Sequence, residues 1–137
     1  MDKGTGRFII IDDDPISIMV TEIYIRKESE HCEIKSFTLA PLALKYFEKE
    51  YGNRSEDGSM LLLLDLHMPV MDGFEFLECF EKLQMGKAKI KIVALSVSAD
   101  KWERQKVMQY SYVTEYHTKP LTRQVLKHLI IENGFSL

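Results

Sequence analysis

Residues 61–77 read LLLLDLHMPVMDGFEFL, a stretch that changes its apolar period halfway along. Its first half completes a short aliphatic run, Met60–Leu64, that stops at Asp65. A continuous apolar run of that length fits a strand covered on both faces, because a half-exposed strand would alternate. The second half opens a different period: Phe76, Leu77, Phe80 and Leu83 recur at helical spacing over Gly73–Met85. A doubly covered strand followed by an amphipathic helix is the building unit of a parallel α/β sheet.

The unit repeats outward in both directions. Phe8–Ile11, Ile34–Phe37, Ile90–Leu95 and Val113–Thr118 read as further strands. Between them lie helical stripes: Ile16, Met19, Val20 and Ile23 in Pro15–Glu28; Ala43, Leu44 and Phe47 in Pro41–Tyr51; Val125, Leu126, Leu129 and Ile130 in Thr122–Asn133. Lys101–Tyr110 is the weakest helix, with Val107 and Met108 among many charges. Asp14 before Pro15 is a predicted N-cap, as are Asp100 and Thr122; Gly134 is a predicted helix stop, and Asn53–Ser59 a surface loop. Five strands alternating with five helices predict an α/β domain with a parallel sheet. Ligands of such sheets bind beyond the carboxyl ends of the strands.

The totals narrow the function. A chain of 137 residues suits one domain, expected to span residues 1–137 with a core at about 8–133. A net charge of −3 argues against a nucleic-acid partner. Cys32 and Cys79 form no C-x-x-C pair and fit free thiols in a reducing compartment, and the four histidines share no metal-ligand spacing. Met1–Arg7 has no apolar core of a secretory signal, and the aliphatic run is too short to span a bilayer. The expectation is a soluble cytoplasmic protein with no membrane partner.

The predicted strand ends carry the chemistry. Asp12, Asp13 and Asp14 follow the first strand, Asp65 ends the third, Ser96 and Ser98 follow the fourth, and Lys119 with Pro120 follows the fifth. Each residue has a plain structural reading: aspartates cap helices, as Asp14 is expected to do, serines end strands, and lysines are solvated. Together at one sheet edge they suit something more specific. Close carboxylates repel unless a cation is present, and Mg²⁺ prefers oxygen ligands. A carboxylate can act as a nucleophile towards phosphorus, while a lysine and a hydroxyl hold the phosphoryl oxygens.

The runs FIIIDDDP, LLLLDLHMPVMDGFEFL, IVALSVSAD and YHTKPLT resemble, in order, the four signature segments of response-regulator receiver domains, and the resemblance runs from about Phe8 to Ile130. It implies a doubly wound (βα)5 flavodoxin-like fold with strand order 2-1-3-4-5 and helices on both faces. It implies Asp65 as phosphoacceptor. Asp13, Asp65 and the backbone carbonyl of His67 would bind Mg²⁺ (with Mn²⁺ as a substitute), and Asp12 would join them through a metal-bound water. Ser96 and Lys119 would bind the phosphoryl group, Ser96 and Tyr116 would form the switch, and Lys119–Pro120 would be a cis peptide. The plain alternative for Tyr116 is a partly buried strand aromatic. Two departures stand out: Val97 beside Ser96, expected to narrow access to Asp65, and His117, at a usually aliphatic position.

The resemblance further implies transfer of a phosphoryl group from a histidine kinase or histidine phosphotransfer protein to Asp65, slow hydrolysis, and a changed surface on the fourth helix, fifth strand and fifth helix. The protein would be a phosphoacceptor rather than a conventional enzyme. With no output domain after the fifth helix, output would fall to a downstream protein target, a homodimer or onward relay. There are two rival readings. A haloacid-dehalogenase-like phosphatase would use Asp12 and Asp14 as its Asp-x-Asp pair, but leaves Asp65, Met68, Pro69, Asp72 and Gly73 unexplained. A receiver-like module that binds partners without phosphorylation would have no need of the full acid, hydroxyl and lysine set.

Overall fold

Side chains of a strand alternate between its two faces, so a strand that is apolar throughout needs cover on both. The computed structural model, which describes residues 6–50, 59–85 and 89–132, supplies that cover. Five strands, β1 (Arg7–Ile11), β2 (Glu33–Phe37), β3 (Ser59–Asp65), β4 (Lys89–Ser96) and β5 (Val113–Thr118), pair in parallel in the order β2-β1-β3-β4-β5. Five helices follow them in turn: α1 (Pro15–Glu28), α2 (Ala40–Glu50), α3 (Gly73–Lys82), α4 (Lys101–Val107) and α5 (Arg123–Glu132). The predicted helix stop at Gly134 and the predicted loop at residues 53–59 lie outside the described residues, except Ser59, which is the first residue of β3 rather than loop.

Alternation splits the core into two layers. Phe8 and Ile10, Leu61 and Leu63, and Val93 and Leu95 pack with Ile18 and Ile25 of α1 and Leu126, Leu129 and Ile130 of α5. Their neighbours Ile9 and Ile11, Leu62 and Leu64, and Ile92 and Ala94 pack on the other face with Ala43 and Phe47 of α2, Phe76 and Phe80 of α3 and Val107 of α4. Phe80 is the centre of that second layer. Its ring meets Phe47 and Tyr112 edge-on, each with centroids 5.0 Å apart, and stacks on Phe76 at 5.5 Å.

The predicted stripe on α1 needs correction. Ile16, Met19, Val20 and Ile23 do form one row, but all four are exposed, and the helix is anchored by Ile18 and Ile25. Apolar residues cover so much of this helix that periodicity finds a stripe without saying which one faces the sheet. The caps are as expected: Asp14 accepts from the Ile16 amide, Asp100 from Trp102, and the Thr122 hydroxyl from Val125. The helices end earlier than periodicity suggests at two places, α3 at Lys82 and α4 at Val107. Cys32 is a buried free thiol, and Cys79 a half-buried one. No helix among the described residues is long and apolar enough to cross a membrane.

Register brings the strand ends level. Ile11 pairs with Leu64, Asp65 with Leu95, and Ser96 with Thr118, so the residues that follow β1, β3, β4 and β5 emerge at one edge.

Candidate functional site

Three of the residues at this edge deliver carboxylates to one point. Asp12, Asp13 and Asp65 each place a carboxylate oxygen within 4.8 Å of the others. Asp12 is buried, and its oxygens are already engaged: Oδ1 accepts from the Asp14 amide at 2.9 Å, while Oδ2 accepts from the Ser17 hydroxyl at 2.9 Å and from the Lys119 ammonium at 2.8 Å. Asp13 is exposed. Asp65 is buried; its Oδ1 accepts from the His67 amide at 3.0 Å, and its Oδ2 lies 3.3 Å from Lys119 Nζ.

The electrostatics follow from burial and neighbours. Burial pushes the Asp65 carboxyl above its usual range; the His67 amide and the Lys119 ammonium pull it back, and the Asp12 charge pushes it up again. Burial alone would lower Lys119, but the hydrogen bond and charge of Asp12, with Asp65 behind it, hold its ammonium above the usual lysine value. Asp12 and Asp65 therefore share the Lys119 ammonium, with the Asp13 carboxylate close by. The residual negative charge and the all-oxygen donor set suit a hard divalent cation such as Mg²⁺.

The loop after Asp65 is built to hold that carboxylate in place. Val70 takes a left-handed backbone with φ 73°, a conformation that costs a β-branched residue about 1–2 kcal/mol. The resulting turn brings the Gly73 amide back to the Leu66 carbonyl at 3.0 Å. A Cβ on Gly73 would stand 2.7 Å from Leu66 Cα and 3.0 Å from the Asp65 carbonyl oxygen, so only glycine fits there. Asp72 caps α3 and exchanges hydrogen bonds with Glu75 in a capping box. Asp72 and Gly73 thus seat α3 against the end of β3 and take no direct part in the acid cluster.

The other expected residues lie around this centre. Ser96 is fully buried, and its hydroxyl accepts from the Ser98 amide at 3.1 Å. The Lys119 amide donates to the Ser96 carbonyl at 2.8 Å, and the Lys119–Pro120 peptide is cis. Tyr116, paired with the small Ala94 in the next strand, is partly buried; its hydroxyl lies 2.7 Å from both the Ser98 carbonyl and the Glu103 carboxylate. His117 is half-buried and pairs with Glu115 at 2.8 Å. Val97 is 75% exposed rather than packed down over Asp65. It stands with Ile16, Val20, Pro120 and Leu121 around a cavity of about 370 Å³ that reaches Lys119. Asp14 is spent on capping α1 and is exposed, which removes the Asp12–Asp14 pair that a haloacid-dehalogenase-like site would need.

Sequence reasoning misses two residues of the site. Ser17 lies in the first turn of α1, where its hydroxyl reaches back to Asp12, and the spacing of five residues is the only signal for it. Glu103 sits in the weakly periodic α4, and nothing in the sequence links it to Tyr116 or to His67, its other partner at 2.6 Å.

Comparison with known proteins agrees with this geometry. The model of the response regulator receiver domain family matches residues 8–131. The two-component response regulator ORR22 of rice, Oryza sativa, is 29% identical over 123 residues, which cover 90% of this chain and 16% of the rice protein. The chain therefore spans about a sixth of that relative's length. A response regulator receiver protein from Dyadobacter fermentans shares the fold with a TM-score of 0.81 at 23% identity, over 96% of this chain and 100% of that one. A chain from the Saccharomyces cerevisiae co-crystal of the phosphotransfer protein Ypd1 with the Ssk1 receiver domain gives a TM-score of 0.78 at 21% identity, over 98% of this chain and 92% of that one. Because the family match takes in all five strands and the whole acid–lysine edge, the chain belongs to the response regulator receiver domain family.

Proposed function

We propose that this receiver accepts a phosphoryl group on Asp65 from the phosphohistidine of a kinase or phosphotransfer protein. The observation that carries the reading is the buried Asp65 carboxylate, clustered with Asp12 and Asp13 and 3.3 Å from the Lys119 ammonium at the carboxyl edge of the sheet. Oδ1 is held by the His67 amide, so Oδ2, bonded only loosely to Lys119, is the attacking oxygen. As the new O–P bond forms, the P–N bond to the donor imidazole breaks, and its electron pair stays with the ring nitrogen. Lys119 moves from the carboxylate to the phosphoryl oxygens, and Ser96 turns its hydroxyl to join it. Tyr116 follows as the switch aromatic.

Asp13, Asp65 and the His67 carbonyl would hold Mg²⁺, with Asp12, whose oxygens the protein already occupies, one shell further out. When bound, the ion offsets the charge that gathers on the phosphoryl oxygens. Asp12 keeps Lys119 protonated and aimed at the site.

The partner's docking face is the exposed row on α1 with the apolar rim beside it. Ile16 and Val20 share a cavity with Val97, Pro120 and Leu121, and that cavity leads to Lys119. An apolar patch beside a reacting group suits a helical partner that must bring a histidine to Asp65. The yeast neighbour, crystallised with a histidine phosphotransfer protein, supports a partner of that class. Output to a downstream protein, by dimerisation or by onward relay, would leave from α4, β5 and α5, in the cytoplasm.

The test is transfer from a phosphorylated histidine phosphotransfer protein, compared with labelling by acetyl phosphate. Ile16→Asp and Val20→Asp should slow transfer from the protein donor at least tenfold and leave acetyl phosphate labelling intact. Equal transfer from the protein donor to wild type and both variants would exclude the α1 face, and no transfer to the wild type from any such donor would exclude the partner class.

A further inference from the structure

Glu103 joins two parts of the site, the loop after β3 and the Tyr116 hydroxyl of β5. Its carboxylate is largely buried, with the side chain 11% exposed. Oε1 accepts from the Tyr116 hydroxyl at 2.7 Å, and Oε2 lies 2.6 Å from His67 Nε2. Tyr116 belongs to β5, Glu103 to the first turn of α4, and His67 to the loop after β3. His67 also frames Asp65 directly, because its amide donates to Asp65 Oδ1. One carboxylate thus grips both the loop that shapes the acid cluster and the aromatic expected to switch.

We infer that Glu103 is a positioning residue that couples the occupancy of the Asp65 site to the rotamer of Tyr116 through His67. The inference rests on the phosphoacceptor reading of that site and names how it is regulated. The physical requirement for coupling is an element with two arrangements that both sites bias. Glu103 is placed to supply it, because one oxygen is held from β5 and the other from the loop after β3, so a shift of the His67 loop would change what Oε1 offers Tyr116. Both bonds are charge-assisted on a carboxylate that is largely buried, while the imidazole end is half-exposed. The structure also holds a competing route: Ser96 accepts from the Ser98 amide, and the Ser98 carbonyl is the second partner of the Tyr116 hydroxyl. That route bypasses Glu103 entirely, so the two can be separated.

The experiment tracks the ring signal of Tyr116 by NMR in ¹³C-tyrosine-labelled full chain, assigned with Tyr116→Phe, during a titration with Mg²⁺. In the wild type the signal should move in step with Mg²⁺ binding. In Glu103→Ala, Mg²⁺ should still bind, as read from the amides around Asp65, but the Tyr116 shift should fall below a quarter of the wild-type value. Glu103→Gln keeps an acceptor oxygen for the tyrosine and an amide for the imidazole, so it should restore at least half of the shift. His67→Ala cuts the same link at a half-exposed side chain, leaves the buried carboxylate in place, and should reproduce the loss. A full Tyr116 response in Glu103→Ala or in His67→Ala would assign the coupling to the Ser98 route and overturn the inference. A wild type that binds no Mg²⁺ would instead remove the phosphoacceptor reading, and this inference with it.

Discussion

The Lys119 ammonium donates to the Asp12 carboxylate at 2.8 Å, a charge-assisted bond between residues 107 positions apart. It ties the end of β5 to the end of β1 across the two strands between them. Both side chains are largely buried, so the bond has structural as well as chemical weight.

Removing that ammonium should therefore be felt in stability. Lys119→Ala leaves Asp12 and Asp65 buried without a counter-charge, at a cost of about 3 kcal/mol. Because Lys119 is held above its usual value, its contribution is complete at neutral pH and fades only as pH rises through that raised value. Urea denaturation at pH 7 checks this, and added Mg²⁺ should restore part of the loss. A variant as stable as the wild type would show that the pair contributes nothing.

Substituting Asp65 should stabilise where substituting Lys119 destabilises, although both groups lose stability as pH rises. The Asp65 carboxyl is held above the usual range, so the native state binds its proton more tightly than the unfolded chain does. Stability from this group is then highest at acid pH and falls as pH rises from the ordinary carboxylate value through the raised one. Asp65→Asn should melt at a higher temperature than the wild type at pH 7 without divalent ions, and the gap should close below about pH 4. An equal or lower melting temperature at pH 7 would contradict the burial argument.

Gly73 should tolerate no side chain. Gly73→Ala drives a methyl group into the Leu66 backbone, one residue past Asp65. A loss of about 1–3 kcal/mol is expected, together with weaker Mg²⁺ binding as the end of β3 shifts. A binding titration on the folded variant separates the two effects.

The corrected face of α1 can be checked with paired substitutions. Ile18→Ala, at a buried position, should cost about 2–4 kcal/mol, whereas Ile16→Asp should change stability by less than about 0.5 kcal/mol. Comparable losses at both positions would put Ile16 back in the core.

How much of this is legible in the sequence depends on the kind of signal. The sheet and its parallel sense can be read because Leu61–Leu64 and Phe8–Ile11 are apolar throughout and the strands recur with helices between them. The acid, hydroxyl and lysine positions can be read because every parallel strand ends at the same edge. The orientation of α1 cannot, since Ile18 and Ile25 compete with four other apolar residues on a single helix. Glu103 cannot either: its partners lie in β5 and in the loop after β3, and only the fold brings the three together. Val97 looks like an obstruction in the sequence, but its side chain is exposed and joins the apolar rim of the cavity beside Lys119.

The proposed chemistry stands or falls with Asp65 as the phosphoacceptor. The decisive measurement is intact-protein mass after incubation with acetyl phosphate and Mg²⁺, for the wild type and for Asp65→Asn. The wild type should gain one phosphoryl group, lost on treatment with hydroxylamine as an acyl phosphate should be, and the variant should gain none. Undiminished labelling of Asp65→Asn would contradict the assignment.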